Sequence, residues 1–237
     1  MTQEIHRAQS RGKADHGWLR SAHSFSFAGY YNPERMGFGR LRVLNDDVVA
    51  PGRGFDTHSH RNMEIVSIPL FGTLVHKDSR GHETTISQGE VQIMSAGTGI
   101  AHSEYNHSQT EEVCFLQIWV EPREKGTEPR YAQGAFRSAN RLNQFQTIVS
   151  PLGTEGPGLK VNQDVFFSLI DMEEGQSAEY ALQSVKNGLY VFILEGQIWM
   201  ADAELKSRDA MALTKIKDIE LSATSDSSVL VIDVPLK

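Results

Sequence analysis

Between positions 38 and 120 the chain alternates short apolar runs with turn residues, and long helical periodicity is absent. GRLRVLNDDVVAPGRGF reads as strand, turn, strand, with Pro51, Gly52 and Gly54 as breakers. MEIVSIPLFGTLVHKDSRGHETTISQGEVQIMSAG predicts four more short strands, with turns near Phe71-Gly72, Ser79-Arg80-Gly81 and Gln88-Gly89. CFLQIWV closes the series. Strands about 8–12 residues apart, joined by glycine-bearing turns, indicate an all-β sandwich or barrel.

From EPREKGTEPRY to about Asn143 the chain turns polar and proline-bearing, which predicts an interdomain connection. A second series of apolar runs follows: QTIVSP, LKVNQDVFFSLIDM, SAEYAL, NGLYVFILEGQIWM, AMALTKIKDIELSA and SSVLVIDVP. LYVFILEGQIWM echoes EIVSIPLFGTLVH, each an apolar strand, a turn ending in glycine and a second apolar strand. The echo predicts a duplicated β-barrel, divided into residues 1–130 and 131–237. All nine histidines lie at or before position 107, so the second copy has no imidazole ligands of its own.

Those histidines carry the candidate chemistry. His58 and His60 stand in THSH, and His102 and Glu104 in AHSEYN, each pair spaced by two. Side chains alternate faces along a strand, so each pair projects to one side of its sheet. Two such strands facing each other present three imidazoles and a carboxylate to a common point, a donor set for one transition-metal ion. Glu64, four residues past His60, has the same strand parity. Either Glu64 or Glu104 can therefore supply the carboxylate ligand, the other accepting a hydrogen bond from an imidazole. His23, His76 and His82 read as packed or hydrogen-bonded strand side chains, and His6, His16 and His107 carry less signal still.

Composition narrows the function. A formal net charge of −7 with scattered basic residues argues against a nucleic-acid surface. The single cysteine, Cys114, excludes an intrachain disulfide and reads as a packed thiol within VCFLQIWV. Neither a signal peptide nor an apolar span long enough for a membrane is evident, so a cytoplasmic location and no membrane partner are expected.

The motifs resemble the cupin superfamily and, within it, the pirin family. Gly52, His58, His60 and Glu64 fit the first cupin motif, with Gly72 one residue late. Gly89, Gly97, His102 and Asn106 follow the second, with Ser95 where proline is usual and two extra residues before His102. The pirin version of that motif is similar to IMSAGTGIAHSEYN, and HSFSF and LRVLNDD extend the likeness over about residues 16–130. The resemblance implies a bicupin: two face-to-face antiparallel β-barrels of the double-stranded β-helix, or jelly-roll, type, with short helical pieces. It implies metal only in the first barrel, held by His58, His60, His102 and Glu104. It further implies a quercetin 2,3-dioxygenase-like oxidoreductase that uses O2 and one divalent ion. Fe2+ leads that expectation, with Ni2+, Mn2+, Co2+, Cu2+ and Zn2+ as the other ions the site would accept. Glu104 would take the flavonol 3-hydroxyl proton as general base, and Phe25, Phe27, Phe55 and Phe71 are candidates for an apolar pocket. The alternative is a metal- or redox-sensing protein that binds a protein partner without turnover.

Overall fold

The computed structural model describes residues 1–236, and among them helical geometry is confined to single turns at Ala8–Ser10 and Ser138–Asn140. No helix among them is long and apolar enough to cross a membrane. The strands form two barrels. In the first, one sheet runs in the order Arg130–Ala135, Glu90–Ser95, Glu64–Phe71, Val113–Val120, Leu41–Val49, Leu19–His23, Gly12–Asp15. It faces a four-stranded sheet ordered Gly54–His60, Ile100–Asn106, Thr73–Asp78, Glu83–Ser87.

The second barrel repeats this plan. Its large sheet runs Thr2–His6, Ala210–Thr214, Asn187–Glu195, Ser227–Pro235, Phe166–Met172, Gln146–Pro151, Leu159–Val161. Its small sheet runs Ser177–Ala181, Asp218–Ala223, Gln197–Met200, Ala203–Lys206. From Leu41–Val49 and from Phe166–Met172 onward, the chain visits corresponding strands in the same order, which is the duplication the sequence echo predicts. Gly72 and Gly196 occupy the same turn in the two copies, with φ of +78° and +81°. That left-handed backbone strongly favours glycine, and it is the signature both halves of the echo share.

Burial explains why the strands read as unbroken apolar runs. Leu116, Ile118 and Val120 leave one face of their sheet and pack with Phe167, Phe192 and Leu230 in a single core between the barrels. Phe115, on the opposite face, closes on Leu74 and Ile86 inside the first barrel. A strand covered on both faces loses the alternation that marks a half-solvated one. Cys114 lies in this strand, as expected, but is half-buried rather than part of the core.

Strand pairing crosses the expected 130/131 division twice. Thr2–His6 pairs antiparallel with Ala210–Thr214 of the second barrel. Arg130–Ala135, inside the stretch read as a connection, pairs antiparallel with Glu90–Ser95 of the first. Each strand covers the same edge of its large sheet. The polar, mostly half-buried character of RYAQGA hides an edge strand from a hydropathy reading.

Candidate metal centre

The small sheet of the first barrel brings His58, His60 and His102 together. His58 lies directly opposite His102 in the antiparallel pair of Gly54–His60 with Ile100–Asn106. The register then slips, so that Glu104 faces Phe55, and such a bulge re-aims side chains locally. Gly54 permits the close approach, because a Cβ there would collide with the backbone of Glu104 and Tyr105. Ring centroids of His58, His60 and His102 are separated by 4.8, 4.5 and 4.9 Å. Their ligand atoms all lie within 4.8 Å of one another.

Four observations bear on a cation at this point. His60 Nε2 stands 3.0 Å from His102 Nε2. Burial, reinforced by neighbouring imidazoles, pushes His60 down to about 4 and His102 down to about 2, so both rings are neutral at physiological pH. His58 Nδ1 donates to the Asp56 carbonyl at 2.8 Å, which leaves its Nε2 lone pair free. The buried Nδ1 atoms of His102 and His76 have no hydrogen-bond partner among the described residues. Neutral imidazoles with converging lone pairs are the form that ligates a metal.

Glu104 is buried and reaches across the barrel to the large sheet. Gln117 Nε2 donates to Oε2 at 2.7 Å, and Ser67 Oγ to Oε1 at 3.2 Å. Burial pushes its carboxyl up to about 7 against those hydrogen bonds. Glu104 also belongs to a second group, with His76 and His102, whose ligand atoms lie within 4.8 Å of one another. The two triads share His102. His76 sits opposite Glu104 in register, fully buried, with Nε2 3.3 Å from Asp78. The sequence reading left it as an ordinary strand histidine. Its spacing of two from Asp78 is the same signal as the two pairs above.

Glu64 does not join the histidines. The chain turns at Asn62, where φ is +51°, so strand parity does not carry from His60 to Glu64. Glu64 instead opens a strand of the large sheet, where its Oε2 accepts from Ser95 Oγ at 2.6 Å and from the Asn162 backbone N–H at 3.0 Å. It fastens the second half of the chain to the first.

His58, His60 and Glu104 open onto a cavity of about 440 Å³ between the two sheets, within the range of small-molecule sites. Two edge-to-face pairs line it, Trp18 with Phe55 and Phe27 with Trp119, at 5.3 Å each. Of the four phenylalanines expected here, Phe27 and Phe55 fulfil the role. Phe25 belongs to the core between the barrels, and Phe71 is half exposed at a strand end. Trp18 and Trp119 carry no motif and are found only from the fold. A cavity of similar size, about 450 Å³, lies between the barrels beside the Arg141–Asp171 ion pair and contains none of the histidines.

A duplicated barrel of this strand order, with histidines on the small sheet of one copy only, is a bicupin. Residues 4–120 match the family model Pirin, and residues 147–234 match the quercetinase C-terminal cupin domain. The chain belongs to the pirin family. It is 41% identical over 232 residues to a quercetin 2,3-dioxygenase of Escherichia coli strain K12, covering 98% of each chain. It is 35% identical to a pirin-like protein of Caulobacter vibrioides, covering 94% of this chain and 95% of that one. The fold superposes on a bacterial pirin from Escherichia coli solved in complex with nickel(II), with a TM-score of 0.93 at 40% identity and 99% of each chain covered.

Proposed function

We propose that the protein is a metal-dependent dioxygenase that cleaves flavonols such as quercetin with O2, its metal held by His58, His60, His102 and Glu104. The observation that carries this reading is the convergence of three imidazoles beside an aromatic-lined cavity, with His58 and His60 on its wall. The names of the relatives point the same way. A cavity favours a small molecule over a partner protein, which would read an exposed surface.

The donor set fits a divalent cation, and the imidazole and carboxylate donors suit Fe2+ as they suit the Ni2+ of the related structure. Bound by those residues, the ion would supply Lewis acidity towards a flavonol oxygen. The chain's own residues do the rest. The Trp18–Phe55 and Phe27–Trp119 pairs hold a planar ring system by its faces and edges and exclude water. Glu104 accepts the 3-hydroxyl proton as a carboxylate. Ser67 and Gln117 keep that carboxyl oriented during the transfer.

The test pairs elemental analysis of protein purified without added metal with oxygen uptake on quercetin. One equivalent of divalent metal and quercetin-dependent uptake are expected, and Glu104→Gln, which keeps a ligating amide oxygen and loses the basic carboxylate, should lower kcat by about 10²-fold or more. Metal-loaded protein that consumes no oxygen with any flavonol would overturn the reading.

A further inference from the structure

The large sheet of the first barrel carries a polar row across its inner face. Gln92, Ser67, Gln117, Asn45 and His23 are register neighbours on five adjacent strands. The half of this row nearest Glu104 is spent on orienting that carboxylate. The other half is not. Asn45 and His23, with Ser21 and Asp47 alongside, form a separate network that does not touch Glu104. His23 Nδ1 meets Asn45 Oδ1 at 2.8 Å, and Ser21 Oγ donates to Asp47 Oδ1 and lies 3.3 Å from His23 Nδ1.

All four side chains line the same cavity as His58 and His60. Each is more than nine-tenths buried. Among the described residues, Asn45 Nδ2, His23 Nε2 and Asp47 Oδ2 have no side-chain hydrogen-bond partner and are not among the fully buried unpaired atoms, so on these cavity-lining residues they remain available to a ligand. A ligand that covers such polar groups without bonding them is penalised, and one that bonds them is rewarded.

We propose that Ser21, His23, Asn45 and Asp47 form a hydrogen-bonding subsite that selects aromatic substrates bearing hydroxyl groups remote from the metal-chelating pair. This deepens, and rests on, the flavonol reading of the cavity. The edge-to-face aromatic pairs grip any planar ring, so they do not discriminate; the quartet supplies the discrimination. Burial pushes the Asp47 carboxyl up to about 7 against the Ser21 hydrogen bond, so at neutral pH it can donate to or accept from a phenol.

The experiment compares quercetin with 3-hydroxyflavone, which keeps the 3-hydroxyl and 4-carbonyl and lacks every other hydroxyl. Binding to the metal-loaded protein without oxygen is read by quenching of tryptophan fluorescence, since Trp18 and Trp119 line the cavity. Wild type should bind quercetin about tenfold more tightly, the value of one good hydrogen bond. The near-isosteric variants Asp47→Leu and Asn45→Leu should each reduce that preference below about twofold, with metal content unchanged. If one variant folds poorly, the other reads the same quantity. Equal binding of the two flavonols by wild type, or a preference that survives both substitutions, overturns the subsite. Admitting oxygen separates the two readings. Preference without consumption defeats the dioxygenase and keeps the subsite, whereas consumption without preference does the reverse.

Discussion

The two barrels share a strand order and differ in what fills them. Where the first barrel points His58 and His60 inward, the matching strand Ser177–Ala181 points Ala178 and Tyr180. Where it points His102 and Glu104, the matching strand Asp218–Ala223 buries Leu221 and Ala223. The second interior is packed with Ile193, Met211, Val229 and their neighbours; the first holds a cavity and a set of buried ionisable groups. One architecture thus serves as a container when polar side chains keep its sheets apart, and as a filled core when aliphatic ones close the space. What separates a site from a scaffold here is side-chain chemistry on a few inward positions, with the backbone plan unchanged.

The largest expected effect comes from exchanging matched positions. His102→Ala should drop bound metal below about a tenth of an equivalent and oxygen uptake by at least about 10²-fold, more than the loss of a group that merely supports a ligand. Leu221→Ala, on the corresponding strand, should cost about 2–5 kcal/mol of stability by opening a void in a filled core. Its metal content should stay at the wild-type level, as denaturant melts and elemental analysis would measure. A folded His102→Ala that keeps its metal would erase the functional contrast between the barrels.

A smaller effect lies in pH. Glu104 in the metal-free folded state titrates near 7, above its ordinary value of 4.5, because it is buried. The folded state therefore holds that proton more tightly, and stability is lost as pH rises from about 4.5 through 7. Metal-free Glu104→Gln should gain a few kcal/mol over wild type at pH 8, and the gain should vanish near pH 4. His60 and His102 are pushed down instead, so they cost stability as pH falls below about 6.5; present in both proteins, they cancel in the difference. A difference in urea midpoint that does not change with pH would show that Glu104 is not held neutral by burial.

The smallest effect marks the edge of the cavity. Phe71 lies on the large sheet at a half-exposed end, outside the cavity. Phe71→Ser should change stability by less than about 0.5 kcal/mol and leave oxygen uptake unchanged. A measurable loss of uptake would mean the aromatic lining extends further than Trp18, Phe27, Phe55 and Trp119.

How far the sequence reveals this follows from the same contrast. The THSH and AHSEYN pairs are legible because a spacing of two on a strand survives any fold that keeps the strand. Glu64 misleads because the parity argument assumes an unbroken strand, and the left-handed residue at Asn62 breaks it. His76 escapes notice because its partners, His102 and Glu104, come from another strand and only the sheet register joins them. Asn45 and Asp47 sit in LRVLNDDVV, where polar residues inside an apolar strand look like an exposed stretch; their burial depends on a facing sheet that no local pattern encodes. The duplication is legible from a glycine turn, whereas the two edge strands are not, since their partners lie far away in the chain.

That exchange of edges has a consequence for how the molecule is built. Thr2–His6 precedes its neighbour, Ala210–Thr214, by nearly all the other strands of both barrels. That strand must remain unpaired until the far edge of the second barrel has been made, a long-range closure of the kind that slows folding. Cutting the gene at the apparent midpoint would thus strip a border strand from each product, and neither fragment would be a finished barrel.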